Sequence, residues 1–300
     1  MIKDIKTYMI AGIAGILSLA SCGDLAEEDR IILGEKVGYG VSVETSYVVQ
    51  YDDILFEVDN LHRMLIADFT GWKCVNCPAM ADFLTTKITP EYPSVLVSLH
   101  MTSNSISAGH FDGYNCASAD SILNWMAGEN LASKIGLPAV SINNIRGNNG
   151  VLYSDQVEIE NVAKNCFIQN NIDKITPRVS IGLNSEMSEE GIYNISTLVL
   201  AQGQNKVNLQ LWLIEEGLKS TVQSSTSGYI QGYENHGILR QVINGSCEGQ
   251  RLEIDGEYVA CTHHKLNIKD KGYNPENCRV VAIITDVDTR RVLNCLETNL

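Results

Sequence analysis

The sequence predicts two kinds of structure along one chain, a layered α/β unit followed by an all-β unit. Between Met64 and Asn171, apolar strands alternate with stretches of helical spacing in the order β, α, β, α, β, β, α, which is typical of one α/β unit. After Pro177, about seven short strands of alternating apolar residues follow without a helix, and this pattern favours a β-sandwich. Residues 34–60 also alternate as strands, and the sequence leaves open which unit they join.

The first unit is organised around the strand Met64–Phe69, an apolar run interrupted by one carboxylate, Asp68. Continuous apolar residues indicate a strand that is buried on both faces. The other predicted elements of this unit are a helix from 79 to 88, a strand from 95 to 99, a helix from 120 to 131, strands from 139 to 142 and from 151 to 153, and a helix from 154 to 167. The predicted strands of the second unit are Val179–Leu183, Tyr193–Val199, Val207–Leu213, Arg251–Ile254, Tyr258–Leu266, Arg279–Thr285 and Arg290–Leu296, with a turn at Asp255-Gly256.

The first residues have the composition of an export signal. Lys3 and Lys6 precede an apolar stretch that ends in Leu19-Ala20-Ser21-Cys22, and these last residues resemble the lipobox of bacterial lipoproteins. Residues 1–21 are therefore predicted to be a lipoprotein signal peptide, with lipid attached to Cys22 as the link to the membrane. A plain secretory signal with an incidental cysteine is the alternative, and either signal takes the chain out of the cytoplasm.

Charge argues against nucleic acid as a partner. The chain carries 36 acidic and 22 basic residues and a formal net charge of −14, which repels phosphate backbones. Acidic residues are dense in residues 22–33, which we predict to be an acidic tether. The tether is either a solvated spacer or, by resemblance to acidic sequences after the lipid cysteine in some Gram-negative bacteria, a signal for surface export.

The motif with the clearest chemistry is Cys74-Val75-Asn76-Cys77, which follows the first buried strand. A C-x-x-C at the start of a helix brings two sulfurs within disulfide reach, and the helix dipole favours the thiolate of the first. Cys74 is the candidate nucleophile and Cys77 its resolving partner. A structural disulfide is the alternative. A metal site would need four ligands, and because no second C-x-x-C exists, we predict none.

Six further cysteines are candidates for structural disulfides, and the sequence alone cannot fix their pairing. Cys247 with Cys261, and Cys278 with Cys295, flank turns between predicted strands, and Cys116 with Cys166 is the simplest remaining pair. Each bridge would add about 2 to 4 kcal/mol of stability. Cys116 also follows a long polar segment with His100 and His110, and all three are candidate substrate-facing residues.

The α/β unit resembles the thioredoxin-like fold. Asp68, six residues before Cys74, is similar to the buried acid of that fold, and Pro138 stands where its cis-proline is expected, before a later strand. The resemblance implies that Asp68 accepts the proton of Cys77 and that Pro138 presents backbone groups to a substrate peptide.

A closer resemblance covers nearly the whole mature chain. Phe69-Thr70-Gly71, the C-x-x-C with its following proline, the string Tyr233–Arg240 and the lipobox are similar to an outer-membrane lipoprotein family named for a twenty-eight-kilodalton member. This resemblance implies a thioredoxin-like domain over 61–176, an all-β immunoglobulin-like sandwich domain over 177–300, and a place in the cell envelope, on either face of the outer membrane.

Two functions follow from these observations. The first is thiol-disulfide exchange through Cys74 and Cys77 on envelope or surface proteins that carry thiols or disulfides, without a cofactor. This would make the chain a candidate thiol-disulfide oxidoreductase. The second is a non-catalytic, surface-exposed binding or adhesion lipoprotein, in which the same core is a scaffold with a structural disulfide.

Overall fold

A computed structural model describes residues 46–51, 53–59, 61–103, 114–128, 130–147, 150–171, 178–202, 206–220, 222–254 and 259–300. The predicted signal peptide, the lipid-attachment residue Cys22, the acidic tether and the first part of the predicted 34–60 strands lie outside these residues. His110 and the Asp255-Gly256 turn also lie outside them.

The described part of the chain contains seventeen strands and three α-helices. The helices are α1 (Cys77–Phe83), continued by a π-helical turn (Leu84–Ile88), α2 (Ala117–Ala127) and α3 (Gln156–Asn171), and Pro275–Asn277 is a 3₁₀ turn. The strands are β1 (Ser46–Tyr51), β2 (Ile54–Asp59), β3 (Met64–Thr70), β4 (Ser94–His100), β5 (Ala139–Ile142), β6 (Arg178–Glu189), β7 (Ile192–Gln202), β8 (Lys206–Glu215), β9 (Leu218–Ser220), β10 (Gln223–Ser225), β11 (Gly228–Ile230), β12 (Tyr233–Asn235), β13 (Ile238–Val242), β14 (Gln250–Glu253), β15 (Val259–Asn267), β16 (Cys278–Asp286) and β17 (Val292–Asn299).

Two sheets and two small ribbons contain all these strands. The larger sheet has eight strands in the order β17-β16-β8-β13-β4-β3-β5, with β14 paired to β8 beside β13. The smaller sheet is antiparallel, in the order β1-β2-β6-β7-β15. The ribbons are β9 with β12 and β10 with β11.

The predicted fold class, a thioredoxin-like α/β domain followed by an immunoglobulin-like sandwich domain, is wrong. The strands assigned to the two domains share one sheet, because β13 joins them: Ile238 pairs in parallel with Ser98 on β4 and antiparallel with Glu215 on β8. The far ends also meet, since the Arg63 N–H donates to Asn294 Oδ1 at 2.9 Å. The described structure is therefore mainly β, and its largest sheet crosses the predicted boundary.

Packing on the larger sheet also joins the two predicted domains. On one face, α2 residues such as Ile122 and Trp125 lie in a single core with Phe69 of β3 and Val281 of β16. The opposite face is covered in two parts: α1 and α3 pack on β3 and β5, and the smaller sheet packs on β8 and β16. One helix thus buries apolar side chains from both halves of the sequence, which joins them energetically.

The N-terminal strands, whose affiliation the sequence left open, form a β1–β2 hairpin that pairs with β6 of the smaller sheet. The hairpin packs through Phe56 and Val58 against Leu198. A Cβ built on Gly182 would lie 2.9 Å from the Cβ of Phe56, so the absence of a side chain lets the hairpin approach the sheet closely. No helix within the described ranges is long and apolar enough to cross a membrane.

The structure does not form the three bridges that the sequence suggested, and none of these six cysteines is part of a disulfide among the described residues. The reason is that the members of each pair belong to different apolar cores. Cys278 lies between the two sheets, whereas Cys295 is in the core under α2. Cys295 faces Ile283, five residues along β16 from Cys278, a separation of about 17 Å along a strand. Cys116 and Cys247 pack at the α2 core, Cys166 lies in the core of α1 and α3, and Cys261 packs under the hairpin.

Candidate functional site

Cys74 and Cys77 form a disulfide in the turn between β3 and α1, with an S–S distance of 2.09 Å. Helix α1 begins at Cys77, with Asn76 as its N-cap, so Cys74 precedes the helix and Cys77 is its first residue. Cys74 is 3% exposed and Cys77 is 2% exposed. The candidate nucleophile Cys74 is therefore a buried residue that lies before the helix, and it is not at the helix start as the sequence predicted.

The disulfide is buried because a later part of the chain lies over it. This cover segment, residues 222–235, contains the β10–β11 ribbon and β12. The Gln223 side-chain amide, 2% exposed, donates to the carbonyl oxygens of Gly71 and Cys74 at 3.4 and 3.3 Å. The Ser224 N–H donates to the Trp72 carbonyl oxygen at 2.8 Å. The backbone on both sides of Cys74 is thus held against the cover segment.

A small cavity lies on the Cys77 side of the disulfide. Its volume is about 10 Å³, enough for about one water molecule. Asp68, Cys77, Ser98, Tyr233 and Asn235 are among the residues that line it. The structure therefore brings together two of the predicted site residues, Asp68 and Cys77, and adds two from the cover segment.

Burial shifts the pKa values of two side chains that line this cavity, Asp68 and Tyr233. The Asp68 carboxyl is 2% exposed, and its Oδ1 has no hydrogen-bond partner among the described residues. Burial raises the pKa of Asp68 from 3.8 to about 7, because a charged carboxylate is poorly solvated there. Burial also raises the pKa of Tyr233 to about 12, and the negative charges of Asp68 and Asp82 add to this rise. Near neutral pH, Asp68 therefore exchanges its proton readily while Tyr233 keeps its own.

Pro138 is placed next to this site without lining its cavity. The Leu137-Pro138 bond is cis, and Pro138 precedes Ala139, the register partner of Phe69 on β3. Its predicted role in presenting backbone to a substrate stays a prediction.

The other predicted residues lie away from the disulfide or have packing roles. His100 ends β4, is buried, and makes an edge-to-face contact with Tyr114 at 6.2 Å between ring centroids. Cys116 is the N-cap residue of α2, half-buried, and its thiol donates to the Arg240 carbonyl oxygen at 3.5 Å. Neither residue is exposed to a substrate in the way the sequence suggested.

The string Tyr233–Arg240 divides between two places. His236 lies near the cavity and 3.8 Å from a carboxylate oxygen of Glu216. Arg240 instead forms a buried ion pair with Glu215 at 3.3 Å. The Arg240 guanidinium also stacks 4.5 Å from the ring centroid of Tyr273. This part of the string therefore ties β13 to β8 and has a structural role.

Sequence reasoning missed Gln223, which lies 149 residues from Cys74 along the chain. The three-residue strands around it carry no periodic pattern, so nothing local marks them as a lid over the disulfide. Within the described residues, no group of three or more His, Cys, Asp or Glu side chains could hold a metal ion.

The chain is a mainly β protein with two sheets and a covered disulfide. Its fold is similar to that of a solved structure. HBP35 of Porphyromonas gingivalis matches with a TM-score of 0.60 and 13% identity, over 80% of this chain and 75% of that chain. At this identity the match shows the fold alone. The matched part of this chain is longer than either predicted domain. This length agrees with a single fold that extends across the predicted domain boundary.

The family follows from the sequence match. The family model of outer membrane protein Omp28 matches residues 128–300, more than half of the chain. The chain belongs to the Omp28 outer membrane protein family, and it is an outer-membrane lipoprotein of the cell envelope, as predicted. A solved domain of the outer membrane lipoprotein Omp28 from Porphyromonas gingivalis is 15% identical, with a TM-score of 0.30, over 43% of this chain and 93% of that chain. A comparison with curated proteins finds no match.

Proposed function

We propose that this lipoprotein is a non-catalytic binding protein of the outer membrane, in which Cys74–Cys77 is a structural disulfide. The observation that carries the proposal is the burial of both sulfurs under the cover segment, at 3% and 2% exposure. Exchange requires a thiolate to reach a disulfide sulfur and form a mixed disulfide. A substrate protein would first have to displace Gln223 and its two hydrogen bonds to the backbone around Cys74.

The residues next to the disulfide favour the same role. Ser224 and Gln223 fasten the cover segment to the turn that the disulfide closes, so the disulfide fixes the surface on which that segment packs. The ammonium group of Lys73, the residue before Cys74, lies 4.9 Å from the ring centroid of Trp72. Its charge is engaged with an aromatic face at the surface.

One observation favours the competing function, thiol-disulfide exchange. Asp68 shares the small cavity with Cys77 and has a pKa of about 7, so it could protonate the Cys77 thiolate released when the pair is reduced and accept that proton again when Cys77 attacks a mixed disulfide on Cys74. This arrangement would act only when the cover segment opens.

One experiment separates the two functions. The oxidised full chain is treated with dithiothreitol, and the Cys74–Cys77 thiols are trapped by alkylation and counted by mass spectrometry, with and without denaturant. We expect reduction to be at least about a hundredfold slower in the folded protein, since access limits exchange. Turnover of a model protein disulfide should not exceed that of a Cys74→Ala, Cys77→Ala variant.

The control is Cys261→Ala, which removes a partly exposed thiol and leaves the pair intact. Rapid reduction of the folded protein, with a mixed disulfide trapped on Cys74 in Cys77→Ser, would overturn the structural role and favour exchange.

A further inference from the structure

A second, larger cavity lies far along the sheet from the disulfide. It has a volume of about 340 Å³, within the size range of small-molecule sites. Its walls come from the end of α2 (Trp125), from β8 (Asn208), from the turn before β14 and β14 itself (Glu248, Arg251), and from the β16–β17 turn (Arg290). We call it the arginine cleft.

Two guanidinium groups, those of Arg251 and Arg290, line this cleft. Neither Arg251 nor Arg290 forms an ion pair with any described residue. Arg290 uses one N–H to donate to the Trp125 carbonyl oxygen at 2.6 Å and lies over the Trp125 ring at 5.9 Å from its centroid; a guanidinium has five N–H donors in all. In a chain of net charge −14, a concave site with two guanidinium groups and one carboxylate forms a local attraction for an anion.

The cleft also offers groups that suit hydroxyls. Asn208 supplies an amide with both donors and an acceptor, and Glu248 supplies acceptor oxygens. Beneath them on the same face of β8, Gln210 is 1% exposed, and neither of its amide atoms has a hydrogen-bond partner among the described residues. Gln210 packs against Gly249, where a Cβ would meet the Gln210 side chain and the Leu209 carbonyl oxygen. Gly249 therefore lets the turn before β14 approach β8 closely at the cleft.

The charges select among anions. Two guanidiniums against one carboxylate leave a formal surplus of one positive charge. A ligand with a single negative charge matches this surplus, whereas a phosphate ester or another dianion would be repelled by Glu248. Guanidinium donors match the two oxygens of a carboxylate in a fork geometry.

We infer that the arginine cleft binds a sugar acid, a monosaccharide of the hexuronate class. Its carboxylate would lie against Arg251 and Arg290 and its hydroxyls against Asn208 and Glu248. This inference rests on the proposed binding function and names the ligand class for it.

The test uses the full chain with its disulfide intact and D-glucuronate as the probe, measured by ligand-observed saturation-transfer NMR and by calorimetry at low salt. We expect saturable binding, and we expect D-glucose to bind at least about tenfold more weakly because it lacks the carboxylate. Arg251→Gln should also weaken glucuronate binding about tenfold or more, through the loss of a charge-assisted hydrogen bond. Lys265→Gln, which removes one exposed positive charge from β15 of the other sheet, should change binding less than about twofold.

Three results would overturn the inference: no saturable glucuronate binding, equal affinity for glucose, or undiminished binding by Arg251→Gln. Inorganic sulfate that competes as strongly as glucuronate would show an anion site alone and would overturn the assignment to sugar acids. These outcomes are independent of the reduction experiment on Cys74–Cys77, so failure of the ligand assignment is distinguishable from failure of the non-catalytic function.

Discussion

The buried carboxyl of Asp68 makes a strong prediction about stability. Its pKa rises from 3.8 to about 7 in the folded protein, so the folded state holds this proton more tightly than the unfolded state. Stability is therefore lost as pH rises from about 4 through about 7. The full difference corresponds to about 4 kcal/mol, since one pKa unit is about 1.4 kcal/mol.

Asp68→Asn replaces the carboxyl with an uncharged amide of nearly the same shape and removes this loss. Between pH 5 and pH 8, we expect the free energy of unfolding of the native sequence to fall by about 2 to 3 kcal/mol relative to the variant. Urea denaturation at several pH values, with the disulfide oxidised, measures both proteins. Other titrating groups are common to both, so the difference isolates Asp68.

Asp288→Asn is the matched control, because Asp288 lies exposed in the β16–β17 turn. Its stability difference from the native sequence should stay constant over the same pH range. If the Asp68→Asn difference were equally constant, the carboxyl would not be held protonated by burial, and the description of the small cavity would be refuted.

Three further perturbations test the disulfide and the packing. Replacing Cys74 and Cys77 together with alanine should lower the free energy of unfolding by about 2 kcal/mol, the loop-entropy value for a four-residue loop, measured by urea denaturation. Gln223→Ala should speed reduction of the disulfide by dithiothreitol at least about threefold, because the cover segment loses two hydrogen bonds. Gly182→Ala should destabilise the protein by about 1 to 3 kcal/mol, because its new Cβ would press on Phe56.

Two of these variants, Gln223→Ala and Gly182→Ala, have a comparison at a less constrained position. Gln250→Ala changes an exposed glutamine of β14 and should leave the reduction rate unchanged. Gly136→Ala meets no atom within 4 Å and should alter stability by less than about 0.5 kcal/mol. If either comparison variant behaved like its partner, the specific contacts described at Gln223 or Gly182 would not be the cause.

The elements whose bounds the sequence predicted well include two short, largely apolar runs. Met64–Phe69 is β3, which ends one residue later at Thr70, and Ala139–Ile142 is β5 with the same bounds. Runs of four to eight such residues are too short for a typical helix, and this length favours a buried strand. The outer-membrane lipoprotein assignment is confirmed by the family match.

The arrangement of these elements was not predictable, because it depends on short strands without a pattern. β13 has five residues, and its parallel partner on β4 is 140 positions earlier in sequence number, Ser98 against Ile238. The sequence named no strand between residues 214 and 250, where the structure has the cover segment and β13. The predicted domain boundary near residue 177 was therefore based on local sequence patterns. The sheet instead depends on pairing between strands that are far apart in the sequence.

The pairing through β13 has a consequence for how the chain reaches its native state. Backbone near residue 63 is bonded to Asn294, a separation of 231 residues, and Val292 donates to Asn143. A chain that is made and exported from its N-terminal end has β3, β4 and β5 available by residue 142, but the other edge of β4 stays unpaired until β13 at residues 238–242 has arrived. Long-range contacts of this kind slow folding, and waiting strand edges invite association. The contacts of the last strand with the residues before β3 and after β5 form after that, once residues 292–294 have arrived.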